Sequence, residues 1–304
     1  MEAKHVYMKG LHGWGLFYRI EDILVFLTIY SVLARSMNLV VISFAVMFNH
    51  IHSLFKAISS GTLTSFQLRL STAFAKEYNK EYGREGAIFN SPFGKAKKRE
   101  TKTIVSCIAY IFNNPVAGKM CEKAIEYRWN LLAYFNNPCP FSKKLVKRKS
   151  RHIMRTALKV VDIYYSEGKA LGYQVLRRVF RGLTPEEKDQ MVDYIVSKYN
   201  FLNYNALFNI LGSFDDVRMV VDTIAGNEYD MEDDYGDHSC YRKLIAHSRA
   251  LGFEGPNYER LSSEQIASLS AKLFRRVNAS HNQMRKFLHL PTPKVDKAVP
   301  GNSQ

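Results

Sequence analysis

The chain has 304 residues and carries 43 Lys or Arg residues against 28 Asp or Glu residues, which gives a formal net charge of +15 at pH 7. Hydrophobic residues make up 46% of it, enough to build packed cores, so the composition excludes an intrinsically disordered chain. The length suits about two domains of roughly 150 residues each. The excess of positive charge favours an anionic partner, either a nucleic acid or a membrane surface.

Features of membrane and secreted proteins are weak in this sequence. The longest apolar run, around residues 39–48, is much shorter than the ~20 residues that a membrane-spanning helix needs. The N-terminal MEAKHVYMKG lacks the apolar core of a signal peptide. The four cysteines show no C-x-x-C spacing and are typical of reduced thiols in an intracellular protein. We therefore predict a cytoplasmic, nucleoid-associated protein that binds nucleic acid and no membrane.

The N-terminal part alternates between strand and helix patterns. HVYMKGLHG predicts a strand, IEDILVFLTIYSVLARSMN a helix, and LVVISFAVM a buried strand. HIHSLFK predicts the returning strand of a hairpin whose turn is MFN. SFQLRLSTAFAKEYNKEYG predicts a basic helix with Ser65 as its N-cap and Gly83 as its C-terminal stop. The predicted core side chains of this helix are Phe66, Leu70 and Phe74.

The next two elements complete a recognisable order. AIFNSPFG predicts an irregular strand, and TKTIVSCIAYIFNN predicts a helix that Pro115 ends. The resulting order, β-α-β-β-α-β followed by a helix, is that of a ferredoxin-like domain. We therefore predict an α+β fold with this domain at residues 4–135.

The rest of the chain predicts a linker followed by helices. KKLVKRKSRH, inside a linker at residues 136–158, is a basic run that either contacts phosphate or is simply solvated. In the all-helical region that follows, at residues 159–290, LTPEEKDQMVDYIVSKY begins with a capping box of Thr184 and Glu187. EYDMEDDYGD predicts a solvated acidic loop, and residues 291–304 a disordered tail.

LSSEQIASLSAKLFRRVNASHNQMRKFLHLP predicts two short helices, capped by Ser262 and Ser280 with Gln265 and Gln283 at the reciprocal positions. The second helix would bury one face and expose the other. Its apolar face comprises Met284, Phe287 and Leu288, and its exposed face comprises Asn282, Arg285, Lys286 and His289. This pattern is typical of a helix-turn-helix, here at residues 262–289, although a short helical hairpin in a bundle would share it.

Two histidines stand one residue apart in the apolar stretch VMFNHIHSLF. On a strand, side chains at i and i+2 point to the same face, so His50 and His52 would converge while Ile51 enters the core. Such a pair can bind a metal ion, although a bare H-x-H is by itself a weak signal. In AYIFNNP, Tyr110 and Asn114 are one helical turn apart, and the amide oxygen suits Mg²⁺ or Mn²⁺. A partly buried helix aromatic is the alternative for Tyr110.

These motifs resemble a family. VMFNHIHSLF, the helix containing YNKEYGREG, and AYIFNNPVAGKM followed by YRWNLLAYF are together similar to the HUH single-tyrosine transposases of bacteria, in particular the REP-associated tyrosine transposase type. HVYMKGLHGWGLFY also resembles the opening strand and turn of that family. The likeness covers about residues 4–135. It implies a ferredoxin-like nuclease domain that cuts and rejoins hairpin-forming single-stranded DNA through a covalent 5′-phosphotyrosine.

Carried onto this chain, the resemblance implies that His50, His52 and Asn114 ligate Mg²⁺ or Mn²⁺ and that Tyr110 is the nucleophile. Three positions depart from the family pattern. Phe48 replaces a proline, IFNSPF replaces Leu-Trp-Gln-x-x-Phe, and NPVAGK lacks an arginine. The departures favour the alternative of an inactive, domesticated DNA-binding protein. An RNA-binding ferredoxin-like module is a third interpretation, and a monomer and a homodimer are both left open.

Basic residues and aromatics alternate along and after the second predicted helix, as on a surface that follows a nucleic-acid backbone. Solvation alone is the alternative for any one lysine. The predicted DNA contacts, with those of the last helix, are Arg69, Lys76, Lys80, Arg84, Lys95, Lys97, Lys98, Arg99, Asn282, Arg285 and Lys286.

Overall fold

The computed structural model of the protein describes residues 2–223 and 237–291. Within residues 2–117, the regular elements alternate as the sequence predicted. They are β1 (Ala3–Lys9), α1 (Ile20–Ser36), β2 (Val40–Val46), β3 (His50–Lys56), α2 (Ser60–Tyr82), β4 (Gly94–Lys98) and α3 (Thr101–Ala117). The predicted acidic loop, apart from Asp237, and the predicted tail after residue 291 lie outside the described residues.

The four strands form one antiparallel sheet in the order β2-β3-β1-β4. Helices α1 and α2 cover one face, where Tyr30 and Phe66 pack against Phe55 at ring distances of 6.4 and 5.5 Å. Helix α3 packs against β2 and β3 from the opposite face, which carries His50 and His52. The α+β class predicted from the sequence is confirmed.

Helix α2 begins earlier than predicted. Ser59, rather than Ser65, is its N-cap, because the Ser59 hydroxyl accepts the backbone N–H of Thr62 at 3.0 Å. The predicted stop at Gly83 is confirmed, since its φ of 60° is the left-handed conformation that glycine adopts readily. The three predicted core residues of this helix are fully buried: Phe66, Leu70 and Phe74.

The fourth strand was predicted in the wrong place. It is GKAKK rather than AIFNSPFG, and its residues Gly94–Lys98 pair with Tyr7–Ala3 of β1. In the predicted segment, Phe89 makes only an isolated bridge to Gly10. Pro92 has no backbone N–H and cannot contribute a donor to a ladder there. AIFNSPFG therefore packs its apolar side chains without forming a regular strand.

Pro115 does not end α3, as the sequence predicted. The helix runs on to Ala117, because the backbone N–H of Gly118 still donates to the carbonyl of Asn114 at 2.9 Å. The loss of one N–H donor at Pro115 is therefore tolerated in the last turn. Asn114 consequently lies inside the helix and not at its end.

All regular elements in the described residues after 150 are helices. The α-helices are α4 (His152–Ser166), α5 (Tyr173–Phe180), α6 (Pro185–Lys198), α7 (Tyr204–Leu211), α8 (Phe214–Thr223), α9 (Ser239–Ala250), α10 (Ser263–Phe274) and α11 (His281–Phe287), and a short 3₁₀-helix spans Asn257–Arg260. The predicted capping box of Thr184 and Glu187 is present at the start of α6. None of the helices in the described part of the chain is long and apolar enough to cross a bilayer.

Two hydrophobic clusters connect these helices to the sheet. The larger one contains residues of the sheet and of α1 to α8, and it joins Tyr30 to Phe201 by a stack of 4.2 Å between ring centroids. The smaller one contains α9 to α11 together with Tyr18 and Phe48 from the N-terminal part. The cores thus extend across the predicted linker at residues 136–158, whose role as a domain boundary stays a prediction.

The predicted helix pair near the C-terminus is present, with both capping boxes, at α10 and α11. The exposed face predicted for α11 is wrong at two positions, since Lys286 and His289 are both buried. The reason is that α11 packs against the loop after β1. The backbone N–H of Gly15 donates to the Lys286 carbonyl at 3.0 Å, and the His289 ring stacks on Trp14. The helix-turn-helix function stays a prediction.

Candidate metal and nucleophile site

His50 and His52 occupy the same face of β3, as their spacing predicted. Their ring centroids are 5.0 Å apart. In the antiparallel register, Lys9 of β1 lies opposite His50 and Tyr7 lies opposite His52. Ile51 points to the other face and is buried there. We call the face of the sheet that carries the two histidines the site face.

Helix α3 brings Tyr110 and Asn114 over the site face. Nε2 of His50 lies 3.2 Å from Oδ1 of Asn114, and Nε2 of His52 lies 3.3 Å from Nδ2 of the same amide. The Tyr110 ring contacts His52 edge-on, with the centroids 5.4 Å apart. The structure therefore brings together all four residues predicted to ligate a metal or to attack DNA.

The other nitrogen of each imidazole has its own partner. Nδ1 of His50 lies 2.8 Å from Oδ1 of Asn49, and the Asn49 Nδ2 donates to the carbonyl of Gly13 at 2.8 Å. Because a carbonyl can only accept, the Asn49 amide must direct its oxygen to His50, and Nδ1 of His50 must donate. Nδ1 of His52 lies 3.0 Å from Nε2 of His5. Both rings are thus held through Nδ1 and direct Nε2 toward Asn114.

This arrangement fits a divalent cation. With Nδ1 of His50 protonated, a neutral ring presents a lone pair at Nε2 to the Asn114 oxygen, so two acceptors face each other. A cation between them would remove that repulsion. Ligating histidines usually donate their other N–H to a carbonyl, carboxylate or amide oxygen, as His50 does to Asn49.

Burial keeps His52 available as a neutral ligand. His52 is 0% exposed, and its burial lowers the pKa of the ring well below the usual value. The neighbouring rings of His50 and His5 lower that pKa further. Only a neutral imidazole can ligate a metal. Within residues 2–223 and 237–291, no group of three or more His, Cys, Asp or Glu side chains could hold a metal ion.

Three further residues around the site were missed from the sequence. His5 and Tyr7 lie on β1, and their rings stand 5.2 and 4.8 Å from that of His52. Their signal was present, because the alternation in HVY puts both on one face of the predicted strand. The third residue is His238, whose ring centroid is 5.8 Å from that of His50. Nothing in the sequence linked His238 to the histidine pair.

The predicted DNA contacts are spread over several surfaces. Lys98 lies opposite Ala3 on β1 and shares the site face with His5, which is paired with Ala96. Lys95 points to the other face, where its Nζ donates to Thr64 of α2 at 2.9 Å. Strand alternation puts Lys97 on the same side as Lys95. The exposed members of the predicted set are Arg69, Lys76, Lys80, Lys95, Lys97, Arg99 and Asn282.

Besides Lys95, several of the predicted contacts are engaged within the protein. Arg84 forms an ion pair with Glu259 at 3.1 Å and lies 3.2 Å from Nδ1 of His289. Arg285 is half-buried and hydrogen bonds to Asn282 at 3.1 Å, and Lys286 is buried. The contacts of Arg84 and of the Lys286 backbone join the C-terminal helices to the rest of the chain, and the sequence did not reveal them.

No family model and no curated protein matches the chain. A solved structure of a REP-associated tyrosine transposase bound to a REP hairpin is similar to it over 42% of this chain and 75% of that chain, with 15% identity and a TM-score of 0.36. A likeness of this degree assigns neither a fold nor a function to this chain.

Proposed function

We propose that the protein is a metal-dependent, transposase-like strand transferase that cuts and rejoins hairpin-forming single-stranded DNA through Tyr110. The observation that carries the proposal is the convergence of two imidazole Nε2 atoms on the amide of Asn114, beside a tyrosine on the same helix. These are the residues expected from the resemblance of the sequence to HUH transposases. The strand order β2-β3-β1-β4 supports the ferredoxin-like assignment of this part.

The chemistry follows from the residues at hand. The phenol oxygen of Tyr110 would form a bond to phosphorus, the bond from phosphorus to the 3′ oxygen would break, and that oxygen would take up a proton. The downstream fragment would remain joined to Tyr110 through its 5′-phosphate, as a phosphotyrosine. Attack by a 3′-hydroxyl would reverse the step and release the tyrosine. Because the energy of the broken bond is kept in the phosphotyrosine, no nucleotide hydrolysis is needed.

His50, His52 and Asn114 are the residues that would hold Mg²⁺ or Mn²⁺. When bound, the ion would supply positive charge to a non-bridging oxygen of the scissile phosphate. Asn49 and His5 would fix the two rings by their contacts with Nδ1. The edge-on contact with His52 would orient the Tyr110 ring.

Covalent capture of DNA tests this proposal. The full chain is incubated with a panel of end-labelled DNA hairpins in Mn²⁺ or in EDTA, and adducts are separated on denaturing gels. We expect an adduct with at least one hairpin in Mn²⁺, none in EDTA, and none with Tyr110→Phe. Tyr164→Phe, a half-buried tyrosine on α4, is the matched control and should leave the adduct intact. An adduct formed by Tyr110→Phe would refute the assignment of the nucleophile.

A DNA-binding protein without catalytic activity is the second candidate function, and two observations favour it. Tyr110 is only 2% exposed. A half-turn of the Asn114 amide would also give both Nε2 atoms a hydrogen-bonding partner without an ion, His50 as acceptor and His52 as donor. This candidate predicts hairpin binding that EDTA and Tyr110→Phe leave unchanged, with no adduct under any condition.

A further inference from the structure

A cavity of about 400 Å³ opens beside the candidate site. Its lining includes Met47, in the turn that leads into β3, and the backbone N–H of Met47 donates to the carbonyl of His50 at 2.8 Å. His238 also lines the cavity, and its ring lies against that of His50. The cavity therefore begins next to the residues that are proposed to act on the phosphate.

The walls of the cavity are rich in aromatic rings. Tyr127, Trp129, Phe141 and Tyr241 all contribute to the lining. Two of these rings are fixed in place: the Tyr127 hydroxyl donates to the Val46 carbonyl at 2.7 Å, and Tyr241 stacks on a neighbouring phenylalanine at 4.1 Å. Trp129 is only half-buried, so part of its indole is accessible. Rigid walls with an accessible indole suit a flat, aromatic ligand.

Arginines border these rings. Arg242 of α9 is exposed and donates a hydrogen bond to the carbonyl of Met120, a neutral acceptor, so its positive charge is retained. The Arg128 guanidinium lies 5.8 Å from the Trp129 ring and 5.2 Å from the Phe141 ring, and an ion pair with Asp193 at 3.1 Å balances its charge. The lining thus combines aromatic walls with the cationic Arg242, and it also includes one exposed carboxylate, that of Glu126.

We infer that this cavity holds one base of the single-stranded DNA next to the scissile phosphate, with Arg242 on the backbone phosphate of that nucleotide. The inference rests on the proposed DNA-processing function and adds a base-binding pocket to it. Aromatic walls stack bases of any sequence, and a cation at the rim pairs with phosphate. The volume lies in the range of about 300–1,000 Å³ that ligand pockets usually have.

An apolar peptide is the competing occupant. Its aliphatic side chains would fill the cavity, but they give no role to the exposed guanidinium of Arg242. A nucleotide uses both the rings and the charge, and the net charge of +15 on the chain favours an anionic ligand. The lining therefore favours a nucleotide over a peptide.

Tryptophan fluorescence can test the pocket without catalysis. The chain has two tryptophans, so Trp14→Phe in a Tyr110→Phe background leaves Trp129 as the only reporter. This protein is titrated in EDTA with single-stranded deoxythymidine oligonucleotides and with abasic oligonucleotides of the same length. We expect the deoxythymidine oligonucleotides to quench the Trp129 fluorescence saturably. The abasic oligonucleotides should bind about tenfold more weakly. As a control for the Trp14 substitution, Trp129→Phe is made in the otherwise unchanged chain. Loss of Trp129 should remove the quenching.

The rim is tested with a matched pair of exposed residues on α9. Arg242→Gln should weaken oligonucleotide binding several-fold, whereas Lys243→Gln, at the adjacent position and not part of the lining, should not. Equal binding of abasic and base-containing strands, or quenching by an apolar peptide and not by DNA, would overturn the pocket.

The two proposals can fail separately. An adduct in the capture experiment without base-dependent quenching would leave the strand-transfer function standing and remove the pocket. Base-dependent quenching without an adduct in any hairpin would support the pocket and count against catalysis.

Discussion

Nε2 of His50 lies 3.2 Å from Oδ1 of Asn114 while Nδ1 of the same ring donates to Asn49. In this orientation of the Asn114 amide, a neutral imidazole directs its Nε2 lone pair at the amide oxygen, whereas the flipped amide would donate a hydrogen bond to it. A metal ion between the two atoms would relieve the repulsion. The relationship therefore gives a direct test of the metal site that does not depend on DNA.

We expect the wild-type chain to bind Mn²⁺ with a stoichiometry of one and His50→Ala or Asn114→Ala to weaken that binding at least tenfold. Removing one of three ligands leaves too few donors for tight binding. Isothermal titration calorimetry measures the affinity. His152→Gln, an exposed histidine at the start of α4, is the control and should bind as the wild type does. Equal affinity in all four proteins would exclude this site.

His5 should act on the metal through His52. Because Nε2 of His5 lies 3.0 Å from Nδ1 of His52, its loss would free the ring to rotate and to change its tautomer. We expect His5→Phe to lower the Mn²⁺ affinity by about 10–100-fold, a usual range for partners of ligating residues. His5→Gln keeps a polar group near the same position and should therefore retain part of the Mn²⁺ affinity that His5→Phe loses. A loss of equal size in both variants would argue that His5 contributes only packing.

The metal-free protein should lose stability at mildly acidic pH because of His52. Burial lowers the folded-state pKa of this ring below the value of about 6.5 in the unfolded chain. The unfolded state therefore binds the proton first, so the contribution of His52 is constant above pH ~6.5 and falls as the pH drops, by at most about 1.4 kcal/mol per pH unit. Urea unfolding in EDTA at pH 7.5 and at pH 5.5 measures this difference in the free energy of unfolding. His52→Gln should show a smaller difference between the two pH values, and an unchanged difference would contradict this account.

Lys98 should contribute to DNA binding because it is on the site face. Its replacement by Gln removes one phosphate contact, so the slope of log affinity against log salt for single-stranded DNA should fall by about 0.7. Fluorescence anisotropy over a range of salt concentrations measures the slope. Lys188→Gln, an exposed lysine on α6, is the control and should leave it unchanged. The same slope in Lys98→Gln as in the wild type would remove Lys98 from the interface.

The strand pattern made the candidate site predictable. The two-residue period of β3 sets His50 and His52 on one face, and the turn spacing of α3 sets Tyr110 beside Asn114. Local signals of this kind require no knowledge of tertiary contacts. The same holds for the capping boxes of α6, α10 and α11, which bring donors and acceptors together within four residues.

Predictions failed where a tertiary contact outweighed a local signal. Lys286 looked exposed because a lysine on a polar helix face usually is, yet the loop after β1 packs over it. The lysines of GKAKK were predicted only as DNA contacts and the strand was assigned to AIFNSPFG, although an edge strand tolerates lysines well because they discourage pairing with other chains. Local sequence patterns carry no information about contacts between distant segments. The proximity of His238 to His50 could therefore not be predicted from the sequence.

The stack of Phe201 on Tyr30 has a practical consequence for anyone who wishes to isolate the N-terminal part. A fragment cut after residue 135 would expose the face of the Tyr30 ring that stacks on Phe201, together with the neighbouring part of β2. The missing helices α9 to α11 would in turn uncover Tyr18 and Phe48. Such a truncation would expose apolar surface that favours aggregation, so tests of the proposed strand transfer require the intact polypeptide.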